Sequence, residues 1–146
     1  MTDSVEVAIE SALLNRLVAF CLSPAIPLAL PNINFTPPAV GSNVFWLKAD
    51  FLPADSFSPS IGYDADLQHY GLMQVSVFYG QGSGELAPAR LAARIIELFP
   101  RGQQLIKDGF TVAMWRHPFR GSMIKDDPWV MIPVSVPYIS FAPHPA

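Results

Sequence analysis

Apolar residues recur at helical spacing near the start of the chain, and later at every second position, so the pattern predicts two helices and four strands. Val5, Ile9, Ala12, Leu13, Leu17 and Phe20 form the first stripe, with Glu6, Glu10 and Asn15 off it. Asp3 with Glu6 has the form of a capping box, and Ser23-Pro24 ends the helix because proline pushes its predecessor out of the α region. Pro24, Pro27, Pro31, Pro37 and Pro38 then keep the chain extended or turned. Phe45, Leu47, Ala49 and Phe51 alternate with Trp46, Lys48 and Asp50, which predicts a strand with one core face and one partly wet face. Met73, Val75, Val77 and Tyr79 mark a second strand over Tyr70–Tyr79. The helical period returns with Leu91, Ile95, Leu98 and Phe99, opposite Arg90, Arg94 and Glu97, and Pro88 sits early, where helices tolerate it. Phe99-Pro100-Arg101-Gly102 stops this helix. A third strand is expected over about Phe110–His117, a polar loop over Pro118–Pro128, and a fourth strand over Trp129–Phe141. The order α-β-β-α-β-β predicts an α+β fold, two helices packed on a mostly antiparallel sheet, in one domain over residues 1–146.

Two segments break the pattern. Pro133 and Pro137 lie inside the last strand, and neither has an N–H for a ladder. Residues four apart direct their N–H groups to the same side, so both gaps fall on one flank. That flank is expected to be an edge, or bulged, and an edge of this kind invites a partner subunit. Leu52–His69 shows neither period and carries Pro53, Ser56, Ser58, Pro59, Ser60 and Gly62. Structureless connections beyond ~12–15 residues are uncommon in compact domains unless they are functional or disordered. Phe57, Ile61, Tyr63 and Leu67 within it are costly to leave in water, so the loop is expected to be mobile alone and ordered by a partner. Phe57, Ile61, Tyr63, Leu67, Pro133 and Pro137 are therefore the candidate interface residues.

Composition sharpens the case for association. The chain is 51% hydrophobic and 14% charged, an apolar excess that a domain of 146 residues cannot place in its own core alone. Glu6, Glu10, Asn15 and Arg16, then Pro24 and Pro27, interrupt the apolar start, so no membrane span is expected. Asp3 and Glu6 stand where a signal peptide carries basic residues, which favours intracellular synthesis. A net charge of −3 with scattered basic residues argues against a nucleic-acid binder. Cys21 is the only cysteine, and its position on an apolar helix reads as a buried structural thiol.

The chain offers little catalytic chemistry. Gly80, Gly82 and Gly84 lack the Lys-Ser/Thr of a phosphate loop and read as a turn. Asp64, Asp66 and His69 match no metal cage, and the adjacent Asp126 and Asp127 diverge on an extended backbone. His117 with Ser122 has no nucleophile elbow and no orienting acid. Phe45, Phe51, Phe78, Phe99 and Trp115 read as core. The expectation is no catalytic residue, no metal and no cofactor.

Several segments together resemble a known family. Pro31-Asn32-Ile33-Asn34-Phe35-Thr36-Pro37-Pro38, Trp46-Leu47, Phe51-Leu52-Pro53-Ala54, Gly71-Leu72-Met73-Gln74-Val75, Phe99-Pro100-Arg101-Gly102, Asp126-Asp127-Pro128-Trp129 and Ile132-Pro133-Val134-Ser135-Val136-Pro137-Tyr138 run in the order seen in the tail terminator-like proteins of long-tailed bacteriophages and prophages. The resemblance spans about Ala8–Phe141. It implies a structural virion subunit, made in the bacterial host cytoplasm, that forms a homo-hexameric ring on the tail tube. That ring stops tube polymerisation and offers a surface to the head. The implied partners are other copies of itself, the tail tube protein and the head-tail connector protein, with DNA only passing through the lumen and no membrane. A neck or head-completion protein is the nearest alternative, and a small enzyme of unknown type is the alternative of another class.

Overall fold

The computed structural model describes residues 5–22, 26–31, 33–39, 44–53, 67–80, 86–107, 109–126 and 128–142. Helix α1 (Val5–Cys21) and helix α2 (Leu86–Leu98) pack on one sheet, as the helical periods predict. The strands are β1 (Leu28–Ala29), β2 (Phe45–Pro53), β3 (Leu67–Gly80), β4 (Gln104–Lys107), β5 (Phe110–Ala113), β6 (Phe119–Arg120), β7 (Ile124–Asp126) and β8 (Trp129–Ala142). Their order is β1-β2-β3-β8-β5-β4, with β6 and β7 also on β8. β1 pairs β2 in parallel and every other pair is antiparallel.

The α+β class and the mostly antiparallel sheet agree with the sequence reading; the strand count does not. β1, β4, β6 and β7 run from two to four residues, too short to carry a period. The expected loop Leu52–His69 is also shorter at both ends. Leu52 pairs Leu72 and Pro53 pairs Gly71 in β2, while β3 begins at Leu67 opposite Ala142. The long partner β8 extends β3, and β3 in turn extends β2, beyond what their own alternation announces. Conversely, the third strand stops at Ala113, and Trp115–His117 lie exposed outside the ladder.

The core lies between helices and sheet. Leu47 and Ala49 of β2, Met73, Val75 and Val77 of β3, and Ile132, Val134 and Val136 of β8 are all buried on this inner face. Against them pack Ile9, Ala12, Leu13, Leu17 and Cys21 of α1 and Leu91, Ala92 and Ile95 of α2, with Phe99 just past its end. Arg16 of α1 pins the helices together. Its Nε–H donates to the Leu98 carbonyl at 2.7 Å, satisfying an end carbonyl of α2, and its guanidinium lies 6.0 Å from the Phe99 ring centroid.

β8 is an interior strand rather than an edge. β3 covers one flank throughout, and the other is met by three short strands in turn: β7 opposite Trp129–Met131, β6 opposite Val134–Ser135, and β5 opposite Ile139–Ser140. The Pro133 carbonyl accepts from the Gly121 N–H at 2.8 Å, so the side where Pro133 lacks its donor faces β6, and Pro137 faces the same way. Each proline falls in a break between short strands, Pro133 between β7 and β6 and Pro137 between β6 and β5. The two missing donors therefore punctuate a flank that is paired in pieces.

Candidate functional site

The sheet's outer face, opposite the helices, is built from the alternate residues of β2, β3 and β8. Rungs run across it from Trp46–Phe78–Met131, through Lys48–Ser76–Pro133 and Asp50–Gln74–Ser135, to Leu52–Leu72–Pro137 and then Tyr70–Ile139. One end is aromatic, the middle is polar, and the far end is apolar again. At the far end Leu52 is 53% exposed and Tyr70 37% exposed. Side chains of this kind gain roughly 1.5–3 kcal/mol when fully buried, which a partner surface would supply.

The aromatic end forms a second, smaller core. Trp46 stacks on Phe78 with centroids 3.9 Å apart and on Phe35 at 5.2 Å, while Trp129 meets it edge-on at 6.1 Å. Ala29, Val44 and Met131 complete the cluster. Trp46 is only 8% exposed, and its indole N–H has no acceptor among the described residues. Beside it a cleft of about 380 Å³ opens between residues 29–37 and β2, with Pro31, Ile33, Phe35, Pro37, Lys48 and Asp50 in its walls. Leu47 donates its N–H to the Pro27 carbonyl at 2.9 Å, and β1 accompanies β2 only as far as Lys48. Beyond that point no described strand pairs this flank of β2.

Of the candidate interface residues, Pro133 and Pro137 lie on the outer face, the first half-buried against Gly121 and the second buried opposite Leu72. Leu67 opens β3 at the apolar end, while Phe57, Ile61 and Tyr63 lie outside the described residues. Alternation alone marked Trp46 as half wet; the proline-rich segment that carries Phe35 buries it. Trp115 is exposed rather than core, with the Arg116 guanidinium 5.5 Å from its ring centroid. Phe119 on β6 and Ile124 on β7 are exposed as well, as are Val7 and Val18 of α1 and Leu22 just past its end, the last 74%.

His69 is buried in β3 and makes an interaction there, while Asp64 and Asp66 lie outside the described residues. Among the described residues no three His, Cys, Asp or Glu side chains gather as metal ligands. His117 and Ser122 are both exposed; Gly80 ends β3, and Gly82 and Gly84 fall outside the described residues. Cys21 is buried, and burial pushes its thiol up to about 11, as suits a packing residue. No described helix is long and apolar enough to cross a membrane.

A solved structure superposes with a TM-score of 0.77 over 94% of this chain and 96% of its own, at 28% sequence identity. No curated protein matches the chain. The profile of the phage tail terminator proteins matches residues 8–138, spanning most of α1, all of α2 and nearly the whole sheet. The chain belongs to the phage tail terminator protein family, a structural component of the phage tail.

Proposed function

We propose that this subunit closes the growing end of a phage tail. Copies of it associate into a ring, a hexamer in our reading, seated on the tail tube. The ring stops addition of further tube subunits and presents its other side to the head-tail connector. Family membership over residues 8–138 carries this reading. Apolar side chains left exposed on α1, on the β6–β7 edge and at the far end of the outer face support it, because a soluble chain keeps such surface chiefly for partners. We assign the tube contact to that far end, where Leu52, Tyr70, Leu72 and Pro137 adjoin Leu67 and the 54–66 connection bearing Phe57, Ile61 and Tyr63. Pro133 lies on the same face and belongs to the same platform. A net charge of −3 suits a lumen through which DNA slides without being held. The ring would be a part of the virion tail.

The test is electron microscopy of purified protein mixed with purified tail tubes. Rings at one end of the tubes, and tubes that no longer lengthen when tube protein is added, are the expected result. Bare ends and unimpeded growth would remove the assignment.

A further inference from the structure

We infer that the cleft beside Trp46 receives residues 143–146 of a second copy of this chain. The inference rests on the ring reading for its biological setting, but its chemistry is independent of it. Pro31, Phe35, Pro37 and Trp46 make an aromatic and proline-lined groove of the kind that docks polyproline segments. The donors around it await acceptors. The indole N–H of Trp46 has none among the described residues, and beyond Lys48 no described strand pairs this flank of β2.

Residues 142–146 read Ala-Pro-His-Pro-Ala, and two prolines in five residues favour an extended chain that offers carbonyls while withholding N–H groups. Its carbonyls can accept from the N–H group that Phe51 directs to this flank of β2, the side on which Leu47 donates to Pro27. Asp50 in the cleft wall adds charge complementarity toward His144 between the prolines. The Lys48–Asp50 pair, at 4.0 Å and half exposed, holds that carboxylate only loosely.

Geometry decides which molecule supplies the segment. The near end of the cleft, Asp50, is level with Ser135 of β8, seven residues from Ala142. At ~3.3 Å per residue that is about 23 Å along the strand, whereas four residues reach ~14 Å at most. A chain cannot fill its own cleft this way, but a neighbour's segment can. The cleft and Ala142, from which the segment departs, lie far apart along the sheet, so the contact is head-to-tail, the kind that closes into rings.

Two measurements test it. In an Ile33→Cys/Ala146→Cys variant, mild oxidation should give a ladder of linked chains, with Cys21 silent because it is buried. A peptide of residues 139–146 should also bind protein lacking residues 143–146, about tenfold more weakly after Asp50→Ala. A ladder ending at dimers keeps the segment in the cleft while removing the ring. Normal rings without residues 143–146 overturn the inference and leave the ring reading standing. Absence of both crosslinks and peptide binding overturns it whatever the ring does.

Discussion

The two faces of the β2-β3-β8 platform share one backbone and differ in nearly everything else. On the inner face every rung from Leu47–Val77–Ile132 to Ala49–Val75–Val134 is apolar and sealed by the helices. On the outer face the rungs change from aromatic through polar to apolar, and parts of both ends stay open. Since successive residues of a strand point to opposite faces, neither pattern constrains the other. The inner face stabilises the subunit; the outer face keeps apolar surface beyond the subunit's own needs.

A cavity behind the inner face, set against a truncation on the outer face, separates the two most clearly. Leu17→Ala on α1 removes a fully buried side chain and should cost about 2–5 kcal/mol in denaturant unfolding. Leu52→Ser on the outer face should change subunit stability by about 0.5 kcal/mol or less and yet weaken tube binding. Equal losses from both would show that the outer face belongs to the subunit's own core.

Trp46 sharpens the comparison, since it is a large side chain of the outer face that is buried at the centre of the aromatic stack. Trp46→Ala should cost about 3–5 kcal/mol by emptying the stack between Phe35 and Phe78. Trp46→Phe should stay within about 1 kcal/mol, because it keeps an aromatic in the stack and removes an N–H that has no acceptor among the described residues. Thermal melts of both variants check this. A Phe variant as unstable as the Ala variant would mean that the indole N–H has a partner after all.

The inner face was legible in the sequence and the outer face was not, for a physical reason. A face that fills one core must be apolar at every second position, and Met73, Val75 and Val77 announce it. Phe35, from a segment with no period at all, covers Trp46, which itself stacks on Phe78. The interior place of β8 was hidden too, because strands of two or three residues leave no alternation to read. One missed element did carry a signal. Lys107-Asp108-Gly109-Phe110 has the Asp-Gly of a two-residue hairpin, Gly109 takes a φ of 80°, and Lys107 pairs Phe110 between β4 and β5.

A smaller effect is expected where the sheet is paired in pieces. Replacing Pro133 and Pro137 together with Val restores two donors, but both face breaks between short strands rather than an open edge. The double variant should remain discrete in light scattering and lose at most about 1–3 kcal/mol, the cost of new unpaired donors. Growing aggregates would show that β6 and β7 readily leave this flank and expose it.

The smallest effect concerns the inner face's one ionisable thiol. Burial raises Cys21 from 9.0 to about 11 in the folded chain, so the native state holds its proton where the unfolded chain has begun to lose it. The unfolded state therefore binds fewer protons between these values, and stability falls as pH rises through that window. Below 9.0 both states are protonated and Cys21 contributes no pH dependence. A Cys21→Ala variant should lower stability at neutral pH through lost packing, yet flatten the alkaline limb relative to the parent. Unchanged alkaline limbs, together with rapid alkylation of the native protein at pH 8, would place the thiol at the surface and undo the claim that this face is sealed at the end of α1.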